Sequence, residues 1–327
     1  MIITRTPFRI SFAGGGTDLK AYYSKETGRV ISSTIDKYIY VVVKKQIGIV
    51  EHKYRINWSK VEFKDSIDEI EHPIVREALR LFGIDFPIEI TTFTDIPGQT
   101  GLGSSSAFAV GLVHALHALK GEMVSKNTIA TTAAHIEVDI LGRSMGKQDH
   151  YASAYGNVNI FTFNRDGTVG VDPVLYRQEV KDAVEGNLHL FYLKSKRDAS
   201  KILKVQEQKT PELLKNLSEL KGLVAPLSEI FSSGVDINKF GDLLHQGWMI
   251  KKSLTDVISS SDIDTYYQKA LDSGAIGGKL LGAGGGGFLL LYIEKKNQQS
   301  LVDALSDLYH LNVRFDQAGT RITYYDQ

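Results

Sequence analysis

The stretch Asp95–Lys120, DIPGQTGLGSSSAFAVGLVHALHALK, constrains the fold of this chain more than any other. It leaves a strand, passes Pro97 and the turn Gly101-Leu102-Gly103, and meets three consecutive serines before a helix. From Ser106 to Leu119 the residues are almost all apolar, and Gly121 stands where a helix stop is expected. A helix that is apolar nearly all round is a buried one. Its N-terminus is therefore held rigidly, with Ser104, Ser105 and Ser106 at the positive end of the helix dipole. Free N–H groups, two glycines and three hydroxyls together suit an anion, most simply a polyphosphate. The common GxxxxGK[ST] loop is absent, and a plain serine-capped core helix has the same local pattern.

Length and composition limit the frame around this loop. At 327 residues the chain exceeds what one hydrophobic core usually covers, so two domains are expected, with the boundary in the Asp-, Gly- and Glu-rich segment 164–187. The units are then 1–175 and 176–327. Lys+Arg and Asp+Glu both number 38, which gives no support to nucleic-acid or acidic-membrane partners. With no cysteine, disulfides, thiolate zinc sites and thiol catalysis are excluded together. The N-terminus lacks a signal-peptide pattern and no run approaches 18 apolar residues, so a cytoplasmic protein is expected, as a monomer or homodimer.

Strands are expected over 2–12, 29–45 (interrupted at Asp36 and Lys37), 87–94, 157–163, 188–193 and 321–325. Helices are expected over 73–82, 126–141, 211–232, 236–254, 262–273 and 298–309, with another near 198–208. Segment 46–72 reads as polar and irregular. Strands and helices in both halves without strict alternation indicate an α+β fold.

Other segments carry chemistry. Three glycines lead into Thr17 and Asp18 after the first strand, which favours a ligand-facing loop. Gly282-Ala283-Gly284-Gly285-Gly286-Gly287 contains a GxGxxG match. It runs into the apolar strand Phe288–Ile293 rather than a helix, which rejects a dinucleotide-binding fold. A loop closing over phosphates accounts for so many glycines better than backbone packing does. Glu137 lies late in a helix, and Asp149 follows twelve residues later in a loop. His135 and His150 make no zinc pattern. Hydroxyl, carboxylate and phosphate oxygens are the donor set that magnesium accepts.

The segments TPFRISFAGGGTD, PGQTGLGSSSA, GKQDHYASAYG and KLLGAGGGGF, in this order, resemble those of the GHMP kinases. STIDKY and GKQD narrow the resemblance to the branch of heptose 7-phosphate kinases and L-fucose kinase domains. It extends nearly end to end. It implies an N-terminal domain like domain 2 of ribosomal protein S5, a ferredoxin-like C-terminal domain, and an active site between them. It further implies ATP and Mg²⁺, with a phosphosugar as acceptor. By resemblance, Pro97, Gly101, Leu102, Gly103, Ser104, Ser105 and Ser106 form the ATP phosphate loop, and Ser105 and Glu137 hold Mg²⁺. Asp149 orients or deprotonates the acceptor hydroxyl with Arg9 beside it. Gly15, Gly16, Thr17, Asp18, Gly284, Gly285, Gly286 and Arg197 serve the acceptor.

The chain departs from that branch at Leu193-Lys194, where Thr-Gly is usual, and at Leu281, usually Ser. Lys194, Lys196 and Arg197 are either a solvated turn or a clamp on the acceptor's own phosphate. The resemblance implies a kinase acting on the anomeric hydroxyl of a heptose 7-phosphate. A kinase of an unphosphorylated sugar such as L-fucose, or a non-catalytic nucleotide-binding regulator of the same fold, is the alternative.

Overall fold

Strand β1 (Ile2–Ala13) is buried along nearly its whole length, and β2 (Gly28–Lys45) is the 18-residue strand that everything in the first half is built on. The computed structural model describes residues 1–194, 202, 204, 205, 209, 210 and 212–326. Lys196, Arg197 and most of the helix expected near 198–208 lie outside the described residues.

Because β2 is so long, it pairs with three strands: β1 along one side, β5 (Ile88–Thr94) at its C-terminal half and β6 (Val158–Phe163) at its N-terminal half. The sheet runs β12-β1-β2-β5-β3-β4, with β7 (Val169–Pro173) extending β6. Here β3 is Tyr54–Asn57, β4 is Val61–Lys64 and β12 is Arg321–Tyr325. Asp36 and Lys37 do not interrupt β2. The register slips there, from Pro7 opposite Tyr38 to Arg9 opposite Thr34, so the polar pair sits in a bulge and the strand continues. The expectation of an irregular 46–72 is also corrected. The β3–β4 hairpin lies within it at the sheet edge, where half its side chains face solvent and apolar alternation is weak.

A short turn of helix, α1 (Lys20–Tyr23), follows the first glycine loop, and α2 (Pro73–Phe82) has the bounds expected from its sequence. Helix α3 (Ser104–Leu119) lies buried against β1 and β2, since eleven of its sixteen residues are inaccessible. Helix α4 (Lys126–Ala134) does not run unchanged to Leu141. It widens into a π-helical turn over His135–Ile140, a distortion often found at functional sites. Helix α5 (Gln148–Tyr155) then packs on α3 and α4.

Helix α6 (Gln178–Gly186) leads to a second sheet in the order β11-β8-β10-β9, all antiparallel, with β8 at Leu188–Tyr192, β9 at Gly277–Leu280, β10 at Phe288–Tyr292 and β11 at Tyr309–Leu311. This is the split arrangement of ferredoxin-like domains, with extra helices inserted between β8 and β9. The single helix expected over 211–232 is two, α7 (Leu214–Gly222) and α8 (Val224–Ser233), divided at Leu223. Helices α9 (Lys239–Leu254) and α10 (Ser261–Asp272) follow, and α11 (Gln298–Ala304) is shorter than its sequence suggests. Strand β12 leaves this half and pairs with β1, so the C-terminal residues join the first sheet. Among the described residues no helix is long and apolar enough to cross a membrane.

Candidate active site

The turn before α3 sits against the middle of β1, because the Arg9 amide donates to the Leu102 carbonyl at 3.1 Å. Gly103 is the N-cap of α3 at φ 77°, a left-handed conformation that glycine adopts without strain, and having no side chain it leaves the first amides uncapped. Ser104, Ser105 and Ser106 line the cavity that opens here, and the buried Ser106 hydroxyl has no hydrogen-bond partner among the described residues. Leu102 is a core residue that contributes only backbone, and Pro97 is exposed outside the cavity, where its carbonyl accepts from Thr100 Oγ1.

Arg9 points from β1 into the same cavity and binds Asp149 with two bonds, Nε to Oδ1 at 2.6 Å and Nη2 to Oδ2 at 2.7 Å. Its remaining Nη1 donates to the Gly101 carbonyl at 2.7 Å. One planar guanidinium thus fixes the carboxylate in the first turn of α5 relative to the turn before α3. The Arg9 side chain is 5% exposed and that of Asp149 16%, so the carboxylate retains an open edge toward the cavity.

Glu137, in the π-helical turn, is fully buried. Burial pushes its carboxyl up, but hydrogen bonds from His150 and Ser105 and the charge of Arg143 more than reverse this and leave it below the ordinary value. Ser105 Oγ donates to Glu137 Oε1 at 2.5 Å and His150 Nε2 to Oε2 at 2.8 Å. Arg143 Nη1 donates to both Glu137 Oε1 and the Ser105 hydroxyl. Among the described residues no cluster of three or more His, Asp or Glu could hold a metal unaided. Magnesium ordinarily takes one or two carboxylates and completes its shell with water and phosphates. The Ser105–Glu137 oxygen pair fits that role.

From the first glycine loop, Gly15, Gly16 and Asp18 line the cavity. Asp18 is buried and accepts from the amides of Gly16 and Gln148 at 2.9 and 3.3 Å. Burial and the charge of Asp149 raise its pKa against those bonds. Thr17 is not at the cavity. Its hydroxyl donates to the carbonyls of Gly14 and Arg29, which pins the loop to β2. Gly282 and Ala283 line the cavity, whereas Gly284, Gly285 and Gly286 lie beyond its wall, the first packed on Ile258 and the second donating its amide to that residue's carbonyl. Lys194 is exposed, and its ammonium donates to the Asp307 carbonyl rather than facing the cavity.

Sequence reasoning missed four side chains at this site. Arg143 and His150 reach Glu137 only because the turn after the π segment folds back, and nothing in their spacing announces it. Lys251 and Lys279 also line the cavity. Lys279 left a signal that could have been read, a lone cation between glycines and two leucines on an otherwise apolar strand.

Two family models match the chain, GHMP kinases N terminal domain over residues 72–157 and GHMP kinases C terminal over residues 233–311. The chain belongs to the GHMP kinases, a family whose phosphate donor is ATP. It is 28% identical over 321 residues to the D-glycero-alpha-D-manno-heptose 7-phosphate kinase of Campylobacter jejuni, covering 93% of each chain. It is 27% identical to the L-fucokinase/L-fucose-1-P guanylyltransferase of Bacteroides fragilis, over 91% of this chain and 35% of that protein. In fold it is similar to a D-glycero-D-manno-heptose 1-phosphate kinase from Bacteroides thetaiotaomicron, with TM-score 0.81, 22% identity and full coverage of both chains.

Proposed function

We propose that this chain is an ATP-dependent sugar kinase that phosphorylates the anomeric hydroxyl of D-glycero-D-manno-heptose 7-phosphate to the 1,7-bisphosphate, for nucleotide-heptose synthesis. The Arg9–Asp149 pair carries the catalytic half of this reading, because it sets an oriented carboxylate beside the open start of α3 in one cavity. The acceptor rests on the similarity to the Campylobacter enzyme across 93% of both chains.

In this reading the amides at the start of α3 and the hydroxyls of Ser104–Ser106 hold the triphosphate. Ser105 and Glu137 would hold Mg²⁺, which when bound neutralises charge on the donor phosphates. Asp149 accepts the proton of the anomeric hydroxyl as its oxygen bonds to the γ-phosphorus, and the bond to the ADP oxygen breaks. Arg9 holds that carboxylate in line. Gly15, Gly16 and Asp18 face the sugar, and Asp18 offers hydrogen-bond capacity to its hydroxyls. Thr17 and Gly284–Gly286, outside the cavity wall, would shape the site through the loops they hold, and Arg197 lies outside the described residues.

A second reading, a kinase of a phosphate-free sugar such as L-fucose, is favoured by one observation: Lys194 turns toward Asp307 and away from the cavity. Incubation of the protein with ATP, Mg²⁺ and each of heptose 7-phosphate, sedoheptulose 7-phosphate and L-fucose, followed by mass spectrometry and phosphorus NMR, separates the two. A bisphosphate from the heptose alone supports the first reading, and turnover of fucose alone replaces it with the second. Nucleotide binding with no product from any sugar points to a non-catalytic regulator.

A further inference from the structure

Helix α9 lies on β9, and its residues Gly247, Lys251 and Leu254 form one stripe that faces the cavity. Lys251 Nζ donates to the carbonyls of Leu280 and Gly282 at 3.0 and 2.6 Å. Lys279, on β9 itself, is 7% exposed and donates to the carbonyl of Phe12 at 2.9 Å, next to the glycine loop on the acceptor side. Among the described residues these carbonyls are the only acceptors either ammonium reaches, and neither lysine has a carboxylate partner. Arg9 is the third cation lining this space, and its guanidinium is already matched by Asp149.

Lys279 is buried and Lys251 half-buried, and with no counter-charge beside them the charged form of each is costly to keep. They line the same cavity as the start of α3, which in the proposed reading holds the donor phosphates. We propose that Lys251 and Lys279 form an anion subsite that binds the phosphate monoester carried by the acceptor sugar. The inference rests on the proposed kinase reading and deepens it, since it supplies the clamp that Lys194 does not. Burial, with the charge of Arg9 nearby, brings Lys279 down to about 7, and burial with the charges of Lys279 and Arg9 holds Lys251 well below the ordinary lysine value. Both are poised to regain charge against a phosphate dianion.

The test uses the full chain with Lys251→Met and Lys279→Met, singly and together, and with Lys→Arg at each position to restore charge. Methionine keeps the length and apolar stem of lysine, so the variants are compared at equal folded fraction by circular dichroism. The KM for heptose 7-phosphate should rise about ten-fold or more per lysine, as expected for loss of a charge-assisted bond. The KM for ATP should stay within about two-fold, and arginine should recover part of the loss. A rise in ATP KM with acceptor KM unchanged would overturn the subsite and give the lysines to the donor. Calorimetry with inorganic phosphate, on protein filled with a non-hydrolysable ATP analogue, needs no turnover and so separates this inference from the choice of acceptor. Binding lost in the double methionine variant supports the subsite, and absence of phosphate binding in the unaltered protein overturns it.

Discussion

A Cβ placed on Gly282 would stand 2.5 Å from the Cα of Gly101, so the turn before α3 and the glycine turn between β9 and β10 meet backbone to backbone. The contact is repeated where Gly287 approaches the Thr100 carbonyl, and Phe288 donates its amide to that carbonyl at 3.2 Å. Glycines that sequence suggested were gathered for phosphates therefore hold the two halves of the molecule together at the cavity. Gly101 is also the residue whose carbonyl anchors Arg9.

Gly282→Ala should therefore damage both stability and activity. The added methyl meets backbone that cannot turn aside, at a φ of 71° that alanine adopts poorly. Overpacking of this kind costs about 1–3 kcal/mol. Urea unfolding should show the unfolding free energy falling by that amount and the midpoint moving to lower urea, with turnover falling more than the folded fraction does. An unchanged midpoint would mean that the two turns separate easily.

Asp149→Asn should lower kcat by about 10²–10⁴-fold, the usual worth of a positioned base, with ATP affinity largely kept. Arg9→Lys should also lower kcat, because one ammonium cannot reproduce the two bonds to Asp149 and the third to Gly101. Single-turnover kinetics with nucleotide binding measured in parallel checks both. Full turnover in the asparagine variant would remove Asp149 from the proton-accepting role.

The Ser105–Glu137 pair already has a cation beside it, since Arg143 donates to both side chains. Ser105→Ala and Glu137→Gln should raise the Mg²⁺ concentration needed for half-maximal ATP binding. Arg143→Ala should lower it, because the guanidinium competes for the oxygens a metal would take. Titrations of Mg²⁺ followed by nucleotide fluorescence distinguish these directions, and identical curves for all three would refute the ligand assignment.

Lys279, brought down to about 7, implies a pH dependence of acceptor capture. The groups around it are Arg9 on β1, Lys251 on α9 and the Phe12 carbonyl, with Asp149 engaged by Arg9. Below that value the free protein presents an ammonium and above it a neutral amine. With a phosphate monoester already dianionic above its second pKa of about 6, kcat/KM for the acceptor should fall as pH rises from 7 to 9. Lys279→Arg should flatten the profile, and an unchanged slope would exclude Lys279 as its source.

Three histidines, the buried His189 and the half-buried His72 and His114, are each pushed down to about 4 by burial. Unfolded histidine titrates near 6.5, so between these values the unfolded chain binds more protons than the folded one. Stability is fully present above about 6.5 and is lost as pH falls toward 4. The melting temperature should therefore decline across that window, before most carboxylates protonate. His189→Gln should lessen the decline, as seen by thermal unfolding at pH 7 and pH 5.

Residues whose meaning is local were legible in the sequence. The apolar run after Ser106 sets a buried helix, and Gly103 sets the bend that opens its N-terminus. Pro73 marks the start of α2, and alternation marks β1, which carries Arg9, and β2 as strands. The four ordered segments identify the kinase family, and with it the pairing of Arg9 with Asp149 was expected. Tertiary structure decided everything that depends on which distant backbones meet. It turned Glu137 from a helix-face carboxylate into a fully buried one held by Ser105, His150 and Arg143. It assigned several glycines to packing between the two halves, and brought Lys251 and Lys279 into one cavity from a helix and a strand 28 residues apart in number. The reason is physical: propensity and periodicity act over a few residues, whereas the energy of a buried charge is set by neighbours that only the folded chain provides.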